Sequence, residues 1–281
     1  MNKKKILSII GTIAAIIASY FAYEYIMYES TDNAQIVGHT VMLAPKVAGY
    51  IVQVNVVEGQ KVAKDDVIAE IDSRDYVNTL TQIKGELTSV QAKMRDAEKN
   101  YRRLIELYQK GAVSQQQYDT TSSAYSEVKA KYDAVAAQVA QAELNLANTK
   151  MRAPMDGFIA KRAVENGQFA SVGVPLFGFV GATERWVIAN FKETQIDKIR
   201  IGSLVDIDVD AVSGKSFSGK VESVSAATGA TFTLLPPDNA TGNFTKVVQR
   251  VPVKIKIENL TEADIVLLRA GLSANVKVHK H

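Results

Sequence analysis

The chain has 281 residues, of which 47% are hydrophobic and 22% are charged, a balance that excludes a disordered or collagen-like chain. Its 33 basic and 30 acidic residues give a formal net charge of +3, from which no nucleic-acid-binding surface is expected. With no cysteine and three histidines, it has no disulfide, no thiolate nucleophile and little material for a metal site, so we expect no enzyme and no cofactor.

The first predicted element is an uncharged run at residues 6–23, preceded by three lysines at 3–5. A helix of this length spans about 27 Å, close to the thickness of the hydrocarbon core of a membrane. Because basic residues favour the cytoplasmic side, we predict a cytoplasmic tail at 1–5, a transmembrane anchor at 6–26 and the remainder outside the cytoplasm. A cleaved signal peptide is the alternative, but the run is long for one and no small-residue cleavage site follows it.

After an extended segment at 27–44 come two similar stretches, 45–72 and 154–180, offset by 108 residues. Each contains β-branched strands around a turn that ends in glycine. We interpret the aligned glycines of the two copies as turn glycines: Gly49, Gly59, Gly157 and Gly167. Neither half can bury a core alone, so residues 45–73 and 151–181 are predicted to fold together.

This repeat resembles the two halves of a biotinyl/lipoyl domain. In carrier proteins of that kind, a modified lysine lies in the turn that joins the halves. Here the junction at residues 71–74 reads Ile-Asp-Ser-Arg and is followed by a long insertion. An acyl or biotin carrier is therefore a weak alternative, and the repeat is interpreted as structural.

The insertion at 74–150 has the heptad spacing of an antiparallel coiled-coil hairpin. Gly111 suits the position after the first helix, and Ser114 suits the N-cap of the second. The predicted seam of the first arm is Tyr76, Leu80, Ile83, Leu87, Val90, Met94, Ala97, Tyr101, Leu104 and Tyr108. That of the second arm is Tyr118, Thr121, Tyr125, Val128, Tyr132, Val135, Val139, Ala142, Leu146 and Thr149.

In the last part, 182–281, the periodicity changes to that of strands, punctuated by glycines. The spacing favours a small antiparallel β-barrel, which the segment at 27–44 is expected to join. A short helix is predicted at 192–199. The fold class is thus a multidomain α+β protein with a transmembrane helix, a split lipoyl-like module, a helical hairpin and a barrel.

This order of elements resembles the HlyD-type membrane fusion (periplasmic adaptor) family, and in particular its EmrA-like multidrug-efflux branch. The local matches are Ser-Thr-Asp-Asn-Ala-Gln at 30–35 and the stretches at 186–195 and 241–255. The resemblance implies an adaptor, anchored in the bacterial inner membrane with a periplasmic bulk. Its implied partners are a major-facilitator drug pump, a TolC-like outer-membrane channel and further copies of itself in a ring of three or six.

A second resemblance lies at the hairpin end. Adaptors that dock on TolC-like channels share an Arg-x3-Leu-x6-Ser pattern, which Arg103, Leu107 and Ser114 match. The resemblance implies that these residues contact the channel. An adaptor for ABC-driven type I protein or peptide secretion would have the same fold and is the alternative function.

Overall fold

The computed structural model describes residues 24–232 and 248–280, together with Ser19. The predicted anchor at 6–26 lies outside this part of the chain, apart from Ser19 and residues 24–26. No helix in the described ranges has the length and apolar character needed to cross a bilayer. The chain divides into two units, one formed by Val41–Phe179 and the other by residues up to Thr40 with Val180–His281.

Outside one long helical insertion, the described part of the chain consists mainly of strands. The strands are β1 (Tyr28–Leu43), β2 (Gly49–Val54), β3 (Lys61–Val62), β4 (Val67–Ile71), β5 (Lys150–Arg152), β6 (Gly157–Arg162), β7 (Phe169–Ala170), β8 (Phe177–Lys192), β9 (Leu204–Val209), β10 (Ser216–Val224), β11 (Arg250–Ile257) and β12 (Ser273–His279). The α-helices are α1 (Arg74–Gln109), α2 (Gln115–Ala147) and α3 (Glu262–Leu267), and 3-10 helices lie at Glu193–Lys198 and Gly229–Phe232.

The second unit is an antiparallel β-barrel, as predicted. Its strands follow the order β1, β12, β9, β10, β11, β8, and β1 also pairs with β8, which closes the ring. Across that closure the Thr31 hydroxyl donates to the Asn190 carbonyl at 3.0 Å. Alternate residues of each strand point inward, because a strand has a period of two. The buried core includes Ile36, Val187, Phe191, Ile207, Ile255 and Val276.

The two predicted half-motifs pair with each other by equivalent hydrogen bonds. The Gly59 amide donates to the Ile159 carbonyl, and the Gly167 amide donates to the Ile51 carbonyl, both at 2.7 Å. These four residues are related by the same offset of 108. The glycine turn of each half is therefore bound to a strand of the other half, which explains why the repeat tolerates the insertion between its copies.

Side chains repeat this pseudo-twofold pairing. The Glu58 carboxylate accepts from the Arg162 amide at 2.7 Å, and the equivalent Asn166 amide oxygen accepts from the Val54 amide at 2.9 Å. The shared core contains buried residues from both halves, among them Ile51, Ile68, Ile159, Leu176 and Phe177. The halves thus fold as one β module.

The four glycines of the repeat do not have the same role. Gly59 and Gly167 lie in turns with φ of +82° and +84°, where glycine is favoured. The interpretation of Gly49 and Gly157 as turn glycines is wrong, since each is the first residue of a strand that follows a bend. Gly49 is needed for close approach, because a Cβ atom there would lie 2.6 Å from Ile71 Cγ2.

The insertion is an antiparallel hairpin of two helices with 36 and 33 residues. Each predicted seam residue is buried or half-buried except Tyr108, which is 38% exposed. The hairpin ends earlier than the predicted residue 150. Helix α2 stops at Ala147, and the Thr149 carbonyl accepts from the Ile71 amide at 2.8 Å, so the chain has already joined the β module there.

Candidate functional site at the hairpin tip

The tip is a tight turn that closes the end of α1. The Gly111 amide donates to the Tyr108 carbonyl, and the Ala112 amide donates to the Leu107 carbonyl, both at 2.9 Å. Gly111 has φ of +69°, a left-handed conformation typical of the residue after a helix. Space is not the constraint, since a Cβ atom there would meet nothing within 4 Å. Backbone conformation is the reason for glycine at this position.

Ser114 starts α2 through a capping box. Its hydroxyl accepts from the Gln117 amide at 3.3 Å, and the Gln117 side-chain oxygen accepts from the Ser114 amide at 3.4 Å. Such a cap satisfies two amides that the first helical turn leaves without carbonyl partners. Ser114 is exposed, so its hydroxyl holds the tip in shape while remaining at the surface.

Arg103 and Leu107 lie four residues apart on one exposed face of α1. Within the described ranges, Arg103 makes no hydrogen bond or ion pair, whereas the adjacent Arg102 binds the Glu98 carboxylate on a different side of the helix. Leu107 is 37% exposed beside the packed seam. The two side chains are therefore available to a partner.

The structure places Arg103, Leu107, Gly111 and Ser114 in the last turns on both sides of the tip. Leu107 and Ser114 flank the backbone closure described above, while Arg103 lies one turn further from the tip. What the arrangement offers is one guanidinium donor, one aliphatic side chain and one small hydroxyl. Within the described ranges, no group of three or more His, Asp or Glu residues is placed to hold a metal ion.

A tyrosine cluster lies behind the tip, where the sequence predicts only separate seam residues. The rings of Tyr101 and Tyr125 stack with centroids 5.3 Å apart, and those of Tyr108 and Tyr118 stack at 4.9 Å. The Tyr101 and Tyr118 hydroxyls lie 3.3 Å apart and join the two stacks. The signal that could have found the cluster is the recurrence of tyrosine at seam positions next to the turn.

The hydrogen bond between the two hydroxyls shifts the pKa of the two tyrosines in opposite directions. The hydrogen bond with Tyr118, with a second one from Ser122, lowers the pKa of Tyr101. The same bond raises the pKa of Tyr118. The hydroxyl pair and the two ring stacks thus join α1 to α2 behind the tip.

Comparison with known proteins agrees with this architecture. Residues 39–180 match the family model described as RND MFP (membrane fusion protein), barrel-sandwich hybrid domain, and residues 185–279 match the AAEA-like beta-barrel domain. The multidrug export protein EmrA of Haemophilus influenzae is 33% identical over 97% of this chain and 81% of its own length. The colistin resistance protein EmrA of Acinetobacter baumannii is 31% identical over 94% of this chain and 90% of its own length.

A solved structure shares the fold. The periplasmic adaptor protein EmrA superposes with a TM-score of 0.50 over 90% of this chain and 99% of that one, at 18% sequence identity. The sequence matches extend over both units and include the hairpin. From the family models and these relatives, the chain belongs to the membrane fusion protein family, as an EmrA-like periplasmic adaptor.

Proposed function

We propose that this chain is the adaptor of a tripartite multidrug-efflux system, linking an inner-membrane major-facilitator pump to a TolC-like outer-membrane channel. The relatives named as multidrug export and colistin resistance proteins support an export role. No catalytic constellation is part of this proposal. The chain would act by binding and positioning the other two components.

The observation that carries the proposal is the exposed pair Arg103 and Leu107, beside the Gly111 turn and the Ser114 cap. Arg103 has no partner within the described residues, and a guanidinium presents several directed donors to carbonyls or carboxylates. Leu107 would add apolar contact area at the same face. We assign these residues and Ser114 to the contact with the channel.

The remaining parts have assigned places in the proposal. The segment at 6–26 would anchor the chain in the inner membrane, behind a cytoplasmic tail at 1–5. The β module of residues 45–73 and 151–181 would pack with its copies in a ring. The barrel at 182–281, joined by residues 27–44, would lie near the pump.

The test replaces Arg103 with Asp and Leu107 with Ala in the full chain in its native host. Both side chains are exposed, so the free energy of unfolding should change by only about 0.5 kcal/mol. Reversing a charge at a docking surface can cost several kcal/mol of binding, so resistance and crosslinking to the channel should fall. The measurements are drug susceptibility and the yield of crosslinked adaptor–channel complex.

Two matched controls separate this role from a general effect of surface substitution. Arg102→Asp changes the neighbouring arginine on a different face of α1, and Leu144→Ala truncates a leucine that is 54% exposed at the other end of the hairpin. Both should keep efflux and crosslinking. Full efflux and crosslinking in the Arg103 and Leu107 variants would show that the tip is only a turn.

A further inference from the structure

One end of the barrel carries large apolar side chains that are exposed. They come from the residues just before β1 and from the turn that leads into β9. Ile26 is 66% exposed and Ile201 is 71% exposed, whereas Ile199, two residues before Ile201, is buried in the barrel core. We refer to this surface as the rim patch, which consists of Tyr25, Ile26, Met27, Ile201 and Leu204.

The two segments of the rim patch lie at the same end of the barrel. Tyr28, the first residue of β1, pairs with His279, the last residue of β12. The neighbouring Val278 pairs with Val205. Because β9 begins at Leu204, its start is level with the start of β1. Helix α3 connects the end of β11 to the start of β12 and therefore lies at the opposite end.

The helical turn that precedes β1 is bound to the barrel. Residues 24–27 are helical, and β1 begins at the next residue. The Glu24 carboxylate forms an ion pair with the Lys277 ammonium of β12. The Lys280 amide donates to the Met27 carbonyl at 2.9 Å. The chain thus passes from this turn into β1 without a linker.

The sequence position of this turn brings the rim patch close to a bilayer. The uncharged run at 6–23, which is proposed as the anchor, ends directly before Glu24. From residue 23 to Tyr28 a helix rises about 7.5 Å. The polar headgroup region on each side of the hydrocarbon core is about 5–8 Å thick. A chain anchored by this run therefore has the start of β1, and with it the start of β9, at the level of the headgroups.

The ionic groups beside the rim patch are paired with one another. Glu29 is buried, and its carboxylate contacts the ammonium groups of Lys198 at 3.1 Å and Lys280 at 3.0 Å. Glu24 and Lys277 form the ion pair described above. The attraction of this end to a surface would therefore come from apolar area, whose removal from water is favourable whatever the charge of that surface.

We propose that the rim patch is a second lipid contact, with Ile201 and Leu204 inserted at the boundary between the headgroups and the acyl chains of the inner membrane. Aliphatic side chains enter this boundary favourably, and an amphipathic tyrosine such as Tyr25 suits the headgroup level. The inference rests on the proposed function, whose anchor at 6–26 it extends. The anchor attaches the chain to the bilayer, and the rim patch fixes the tilt of the barrel against it.

The experiment uses the absence of cysteine from the chain, which allows single cysteines to be labelled with the fluorophore NBD. The full chain is reconstituted without the pump into phosphatidylcholine vesicles that contain nitroxide-labelled acyl chains. We expect quenched, blue-shifted emission from labels at Ile201→Cys and Leu204→Cys. Val266→Cys is the matched control, since Val266 of α3 is an exposed aliphatic residue at the other end of the barrel, and its label should show neither effect.

A substitution within the rim patch tests insertion by a second route. Ile201→Asp should reduce the quenching of a label at Leu204→Cys, because a carboxylate is costly to remove from water. Val266→Asp should leave that quenching unchanged. Circular dichroism identifies a variant that fails to fold, in which case Ile201→Ser replaces Ile201→Asp. Addition of anionic phosphatidylglycerol should not change the quenching, because the contact is apolar.

Extraction of the vesicles with alkaline carbonate tests the anchor separately. A chain that resists extraction but shows no quenching at Ile201 and Leu204 would overturn the rim contact and keep the anchor. Equal quenching at Val266, or quenching that requires anionic lipid, would also overturn the proposed apolar insertion. Release of the chain by carbonate would contradict both the anchor and the rim contact.

Discussion

Arg185 is a guanidinium buried in the barrel unit, with 4% of its surface exposed. Its Nε donates to the Leu268 carbonyl at 2.9 Å, and Nη1 donates to the Gly181 and Glu184 carbonyls at 2.7 and 2.8 Å. Burial lowers the pKa of Arg185. Three backbone carbonyls thus depend on one fork-shaped side chain.

Replacing Arg185 with Lys should therefore destabilise the barrel although the charge is kept. An ammonium cannot reach carbonyls of Gly181, Glu184 and Leu268 together, and a buried acceptor without a partner costs about 1–3 kcal/mol. The measurement is the denaturant midpoint of unfolding, with the exposed Arg200→Lys as the control. Equal midpoints for the two variants would mean that the fork geometry is not needed.

The roles of single residues could be predicted where the local backbone conformation determines which residue types are favoured. Gly111 and Ser114 were placed correctly because an αL turn and a helix cap each favour a few residue types. Arg185 was not predicted to be buried, since arginine is mostly exposed and one of its carbonyl partners, Leu268, lies 83 residues away in the sequence. Gly49 was misassigned for a similar reason, because the side chain that approaches it, Ile71, is 22 residues away.

Among the elements, the hairpin is held by the seam that its sequence period predicts. Within the two helices, the most buried seam residues are Val90, Val135, Val139 and Ala142, all in the half away from the tip. Toward the tip no seam residue is fully buried, and four of the eight seam residues there are tyrosines. The period of 3.5 residues indicated which positions face the partner helix, but not how deeply each is buried.

Replacing Val90 with Asp should unfold the hairpin at a lower temperature. The substitution puts a carboxylate at a site that is 5% exposed and faces apolar side chains, at a cost of at least about 3 kcal/mol. Ala92→Asp, at an exposed position of α1 two residues away, is the control and should cost only the difference in helix propensity, below about 1 kcal/mol. The measurement is thermal unfolding followed by helical ellipticity. Coincident unfolding curves for the Val90 and Ala92 variants would contradict the predicted seam.

An open groove between α1 and α2, lined by residues such as Ala97, Leu104 and Val128, could not be predicted from the heptad pattern alone. Heptad spacing identifies the seam, but whether flanking positions such as Ala124 and Asn100 form a groove or a ridge depends on the sizes of side chains on both helices. The short helix α3 was also missed, because its six residues are too few to show a period.

Considered as a whole, the chain is a set of nested insertions. The barrel strands enclose the segment Val41–Phe179, and within that segment the two halves of the β module enclose the hairpin. Each level of this nesting is closed by strand residues that pair across a large sequence separation, such as Tyr28 with His279 and Glu70 with Lys150. This nested order could be predicted from the sequence repeat and from the change of the hydrophobic period between helix and strand. The architecture was therefore predicted better than its details.

The nesting predicts that the hairpin can be removed without loss of the β module. Strands β4 and β5 are already antiparallel neighbours, and the Ile71 amide donates to the Thr149 carbonyl at 2.8 Å. An Asn-Gly turn is suited to joining such strands, so it can replace residues 73–147, which leaves Asp72 opposite Asn148. The cross-half bonds of the Gly59 and Gly167 amides do not involve any deleted residue.

The shortened chain should unfold cooperatively and retain slow hydrogen exchange at the Gly59 and Gly167 amides, while losing the helical signal and all crosslinking to the channel. The control is Gly167→Val in the shortened chain, which strains a residue with φ of +84° and should speed exchange at both amides, since they belong to one paired core. Fast exchange at both amides in the shortened chain itself, with the barrel amides still protected, would mean that the module needs the hairpin to fold.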